Sequence, residues 1–211
     1  MTRRFNLGRR YLDIQQVSLR SRALSRDLVQ VTDAVHTKGS FIYCQLWALG
    51  RAAERSSLPV EYDIISSGDI ALPGLFNIGS SLVLLAHALS FADRQPPRPL
   101  TETQIDDWVN LYAQAARNAI AAGFDGVELH NANGARPQPQ ASSFVSDRHL
   151  EGYLLDQFLQ TTCNNRTDAY GGVAANRIRF TLRAVDGVVR AIGANRTGIR
   201  LSPYERYNGQ S

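Results

Sequence analysis

The chain has 211 residues, 44% of them hydrophobic and 20% charged, which excludes a disordered chain and supplies apolar material for one sizeable core. Lys and Arg exceed Asp and Glu by 23 to 19, but the excess is concentrated at the start, where Arg3, Arg4, Arg9, Arg10, Arg20, Arg22 and Arg26 face only Asp13 before Asp27. Cys44 and Cys163 are the only cysteines and form no metal-ligand cluster, so two reduced thiols are expected. An Arg-rich, acid-poor start can be a transit peptide or a nucleic-acid-binding arm, but this one lacks the aromatic interleaving of a nucleic-acid platform. It is set apart as a basic segment, residues 1–27. The apolar run at residues 81–91 is too short to cross a bilayer. The expectation is a cytoplasmic protein with neither a nucleic-acid nor a membrane partner.

In chain order, residues 25–36 read as a helix with Leu28, Val29, Val31 and Val35 on its apolar face, stopped by Gly39. Residues 40–47, SFIYCQLW, have the aromatic and β-branched content of a buried strand. Thr101 and Gln104 have capping-box spacing, and Ile105, Trp108, Val109, Tyr112, Ala115 and Ile120 hold helical spacing up to Gly123. Residues 124–130, FDGVELH, predict a second strand. Residues 153–159 predict a short helical turn and residues 176–192 a long amphipathic helix, and residues 197–202, TGIRLS, predict a third strand.

Strand, helix, strand, helix, strand is the pattern of parallel βα units whose crossover helices cover a buried sheet. Polar groups that do chemistry in such folds sit at the carboxyl ends of the strands. Gln45, Trp47, His130, Asn133 and Arg200 all fall at or just beyond such ends, where an unpaired polar group in a barrel core would cost a few kcal/mol.

Several motifs occur in a fixed order: GSFIYCQLWALGRAA at 39–53, GFDGVELHNANG at 123–134, GYLLDQFL at 152–159, CNNRTDAYGG at 163–172, NRIRF at 176–180 and GIRLSP at 198–203. Together they are similar to the central signature of the Old Yellow Enzyme family, over most of residues 28–208. The resemblance implies an α/β fold, a partial TIM (β/α)8 barrel, with FMN as cofactor and NADPH or NADH as reductant. It implies hydride transfer through the flavin to the C=C bond of a small-molecule α,β-unsaturated carbonyl compound.

The same resemblance implies the site. Gln45 would bond the pyrimidine edge of the flavin, for which a carboxamide offers a donor and an acceptor together. Arg200 would stand as a cation beside that edge. His130 and Asn133 would grip the substrate carbonyl and draw electron density from the β-carbon, with His130 also beside the flavin. Tyr153 would protonate the α-carbon, and Trp47 would wall the substrate. Outside the signature, a lone His-x-x-Asn reads as a structural pair and a lone Trp as core. Arg166, Asp168 and Arg177 read as groups that pin the loop supporting the site. Cys44, His36, His87 and His149 receive no role.

The chain departs from the family pattern in two places. Removing residues 135–152 would restore HNANGYLLDQFL without interruption, and a second addition lies at residues 75–92. One or both read as translated introns or gene-model errors, with a genuine substrate-gating loop as the competing view. The expectation is an incomplete barrel domain over residues 28–211, because about 250 residues are typical of the complete fold and only three of its strands are recognisable here. Two further readings stay open: a catalytically inactive fragment or pseudoenzyme of the same family, and a module that binds an anionic partner through its Arg-rich start.

Overall fold

A computed structural model describes residues 21–53, 55, 58–59, 62–71, 96–132 and 152–202. The addition expected at 75–92 lies outside the described residues, as do residues 1–20, Asn133 and all of the addition expected at 135–152 except Gly152.

Three parallel strands form the central sheet: β1 (Tyr43–Leu46), β4 (Gly126–Asn131) between its neighbours, and β5 (Thr197–Leu201). A second, minimal sheet pairs β2 (Ile65–Ser66) with β3 (Arg98–Pro99), also in parallel. Around them run α1 (Ser21–His36), α2 (Glu102–Ala121), α3 (Leu154–Leu159), α4 (Ala174–Arg177) and α5 (Arg179–Ile192). This is the expected alternation, and among the described residues it makes an open part of a (β/α) barrel.

The two sheet strands expected first are shorter or shifted for a physical reason. Asp125 accepts the backbone N–H of Ile42 on its carboxylate at 2.7 Å and returns its own N–H to the Ile42 carbonyl at 3.0 Å. That closed loop replaces ladder pairing, so β1 starts at Tyr43 and β4 at Gly126, beyond the expected 40 and 124. Phe124 instead donates its N–H to Ala119 at the end of α2. Residues 40–42 leave Phe41 74% exposed.

The capping box forms as the sequence predicts, with Thr101 Oγ1 accepting from Gln104 N at 3.2 Å and Gln104 Oε1 accepting from Thr101 N at 3.0 Å. From there α2 buries Ile105, Trp108, Val109, Tyr112, Ala115, Ala116 and Ala119 on one face. The long helix expected at 176–192 begins two residues early and is divided at Ile178. Its hydrogen bonding nevertheless runs on, from Ile178 N to Ala174 O and from Leu182 N to Ile178 O, each at 3.0 Å. Helix α5 crosses α2 closely because Gly187 has no side chain: a Cβ there would lie 3.1 Å from Val109 Cγ1.

Both helices cover one face of the sheet, where Leu46, Val127 and Leu129 join Tyr112, Phe158, Phe180, Ala184 and Val188 in a continuous apolar core. Each fully buried large side chain there contributes about 1.5–3 kcal/mol. The loop after α3 is pinned as expected. Arg166 donates from Nη1 to the carbonyls of Ser67 and Leu100 at 3.0 and 2.6 Å and pairs with Asp168. Arg177 donates from Nε to Leu159 O at 2.8 Å and from Nη1 to Gly172 O.

Candidate active site

Strand register decides which side chains share a face. In a parallel pair, residues in register point to the same side, and the side alternates with every residue. Gln45 is in register with Glu128, Gly198 with Glu128 as well, and Arg200 with His130. Glu128 and His130 are two apart on β4. Gln45, Glu128, His130 and Arg200 therefore stand on one face, opposite the helix-covered core. Each of Gln45, His130 and Arg200 is the penultimate residue of its strand.

The residues are staggered as well as aligned. Gln45 lies level with Glu128, two residues below the His130 and Arg200 level, which is about 6.6 Å at the usual rise per strand residue. The face is polar at its lower end and aromatic at its tip. His130, 3% exposed, meets the Tyr153 ring edge to face with centroids 4.7 Å apart, and Tyr153 meets Trp47 at 4.6 Å in the same manner. Trp47 follows β1 directly, and Tyr153 is the N-cap residue of α3, so three different strand or helix ends build one aromatic wall. Aromatic pairs at such distances and tilts attract beyond their buried area by about 0.5–1.5 kcal/mol.

Of the six residues the sequence singled out, five are brought together on this side of the sheet: Gln45, Trp47, His130, Tyr153 and Arg200. The sixth, Asn133, lies outside the described residues. Sequence reasoning passed over Glu128. Its carboxylate accepts a hydrogen bond from Gln45 Nε2 at 2.5 Å, which settles the orientation of the Gln45 carboxamide: one N–H is committed to Glu128. The signal was present in the alternation of VELH, where Glu128 stands two residues before His130 and must share its face.

Two cysteines near the site take no part in it. Cys44 is a free thiol whose pKa burial pushes up to about 11, and Cys163 is also free and raised, chiefly by burial. Both stay protonated and unreactive at neutral pH. Among the described residues no group of His, Cys, Asp and Glu could hold a metal ion, and no helix is long and apolar enough to cross a membrane.

The donor set fits a flat heteroaromatic cofactor edge. A carboxamide, a guanidinium and an imidazole offer hydrogen bonds from three successive parallel strands, beneath an aromatic wall. Comparison with known proteins identifies the family. The model of the NADH:flavin oxidoreductase / NADH oxidase family matches residues 19–138 and 145–211. The chain is 47% identical over 182 residues to a chanoclavine-I aldehyde reductase of Penicillium roqueforti (strain FM164), covering 85% of this chain and 40% of that protein. It is 42% identical over 182 residues to a probable flavin mononucleotide-dependent alkene reductase of Leishmania infantum, covering 86% and 44%. A solved structure of the Old Yellow Enzyme homologue from Zymomonas mobilis superimposes with a TM-score of 0.64 at 31% identity, over 86% of this chain and 43% of that one. The chain thus spans about two-fifths of the length of the curated relatives it matches. FMN, with NADH or NADPH as reductant, is the cofactor this family implies. The chain belongs to the NADH:flavin oxidoreductase / NADH oxidase family, as a member of Old Yellow Enzyme type.

Proposed function

We propose that the protein is an FMN-dependent reductase that delivers hydride from NAD(P)H to the activated C=C bond of a small α,β-unsaturated carbonyl compound. The observation that carries this reading is the shared face of Gln45, His130 and Arg200 beneath the Trp47, Tyr153 and His130 rings. FMN, when bound, supplies a two-electron carrier between the nicotinamide and the substrate.

The chain's own residues do the rest. Gln45, with one N–H held by Glu128, presents its remaining polar atoms to the pyrimidine edge of the ring. Arg200 holds a cation on the same face, which offsets negative charge gathering at that edge. His130 and Asn133 donate to the substrate carbonyl oxygen, so that the β-carbon becomes electron-poor. Tyr153, packed against His130, hands its phenolic proton to the α-carbon. Trp47 closes the wall and keeps water from the reacting carbons.

The test is flavin content and turnover of the full chain. Purified protein is expected to be yellow, to release FMN on denaturation, and to oxidise NADPH or NADH faster when 2-cyclohexenone is added. Arg200→Ala is expected to weaken FMN binding about tenfold, the worth of one charge-assisted hydrogen bond, while its thermal midpoint stays put. Protein that carries no FMN and takes none up on titration sinks the proposal and leaves the inactive reading of the family.

A further inference from the structure

Helix α3, LLDQFL, buries a glutamine beside Asp156 among leucines and a phenylalanine. Gln157 is 1% exposed, and Leu154, Leu155 and Phe158 around it are fully buried. A buried carboxamide has to place two donors and an acceptor, and Gln157 places them in three separate stretches of chain. Its Oε1 accepts from Arg51 N at 3.2 Å and from Ser66 Oγ at 2.8 Å. Its Nε2 donates to Leu49 O at 3.0 Å and to Gly152 O at 2.7 Å.

The partners are not scattered at random. Leu49 and Arg51 belong to the turn that follows Trp47, Gly152 is the residue before Tyr153, and Ser66 ends β2. The turn after Trp47 is shaped for this contact: Gly50 has φ +60°, and a Cβ on it would overlap the Gln157 carboxamide. Leu154 N adds a bond to Ala48 O at 2.9 Å.

We propose that Gln157 is a positioning residue, which holds Trp47 and Tyr153 edge to face by tying the turn that follows the first, at Leu49 and Arg51, to the peptide before the second. It touches no reacting atom and acts only through those two rings. Its functional meaning rests on the proposed reading of Trp47 and Tyr153 as substrate-facing groups, whereas the tether itself does not. Core packing alone makes a different forecast, because the tether depends on the two N–H donors rather than on side-chain bulk.

The experiment uses the full chain with Trp108→Phe, which leaves Trp47 as the single tryptophan, and follows its emission and acrylamide quenching without flavin. Gln157→Leu removes all four bonds, and Gln157→Glu turns two donors toward carbonyls into acceptors. Both variants are expected to keep their helical circular dichroism, to shift Trp47 emission to the red and to raise its quenching constant about twofold or more. In Gln157→Glu the quenching falls back toward the parent value between about pH 8 and pH 5, as the buried carboxyl regains a proton to donate. Gln157→Leu shows no such return. Parent-like quenching in both variants, or a Gln157→Glu response that ignores pH, overturns the proposal. Amide exchange in the unsubstituted chain gives a reading that needs no variant: residues 47–52 and 153–159 are expected to open together, within about threefold in rate. Free exchange in the first stretch beside protection in the second also overturns it. FMN titration is run separately. A chain that binds no FMN but shows these responses loses the flavin reading and keeps the tether, and one that binds FMN without them loses the tether alone.

Discussion

On the helix-covered face of the sheet, Leu46, Val127 and Leu129 are between 0 and 4% exposed, whereas one residue along each strand Gln45 and Glu128 are half-buried and Arg200 is exposed. On β1 and β4 a dry face and a polar one thus alternate with the two-residue period of a β-strand, whereas on β5 Ile199 and Leu201, in register with Leu129 and Asn131, stay 39% and 53% exposed. The dry face is covered by α2 and α5 and holds the apolar core. The polar face meets the N-terminal end of α3 at Tyr153 and holds the described residues assigned to flavin or substrate. Stability and chemistry are therefore divided by strand parity rather than by position along the chain.

The largest test of that division is a truncation in the dry layer. Phe180 is fully buried and meets Phe158 with centroids 4.8 Å apart. Phe180→Ala is expected to cost about 3–5 kcal/mol in urea unfolding, the usual toll of a phenylalanine cavity. Gln45→Ala, on the polar face, is expected to change the same quantity by less than about 1 kcal/mol. Comparable losses for the two variants would break the comparison.

The dry layer also contains a charge, which sharpens the point. The Arg166 side chain is 7% exposed, lies 5.6 Å from the Phe158 ring centroid and is paired with Asp168. The hydrogen bonds from the Arg166 guanidinium, followed by the backbone N–H of Tyr170, hold the Asp168 carboxyl below the usual carboxylate range against the opposing effect of burial. A lowered folded-state pKa means that this stabilisation is complete above the unfolded value near 4 and is lost as pH falls through the folded value. Asp168→Asn leaves a buried guanidinium without its counter-ion and is expected to cost about 2 kcal/mol at pH 7. The variant and parent stabilities should converge as the pH is lowered below 4. A gap that stays constant down to pH 2 would show that Asp168 contributes shape rather than charge.

How much of this was legible in the sequence depends on whether the signal is local. Strand ends are local signals, so VELH and FIYCQLW place His130 and Gln45 near the carboxyl ends of their strands, as the structure has them. The Thr101 and Gln104 capping box is local too, and it forms as read. The short strand β3 at Arg98 was not legible, because its pairing with Ile65 and Ser66 depends on a partner more than thirty positions away and on no periodic pattern. The trimmed start of β1 has the same cause: nothing near Ile42 announces that the Asp125 carboxylate will take its N–H. Gln157 stands between these cases. A glutamine inside LLDQFL is a visible anomaly, since it must be either exposed or fully bonded, but its four partners are assembled only by the fold.

The smallest effect concerns the tip of β4, where parity assigns Asn131 to the dry face beside Val127 and Leu129. Asn131 is 1% exposed, and among the described residues neither atom of its carboxamide has a hydrogen-bond partner. Desolvating an unpaired amide costs about 1–3 kcal/mol, so an apolar side chain of similar size should be preferred at this position. Asn131→Leu is expected to stabilise the chain by about 1 kcal/mol and to raise the thermal midpoint by roughly 2–4 °C. Because Asn131 is followed within two residues by Asn133, the same variant also asks whether the dry face is dry up to the edge of the site. If Asn131→Leu instead lowers the midpoint, the carboxamide is bonded in solution, and the boundary between the apolar layer and the polar layer runs one residue lower on β4 than strand parity places it.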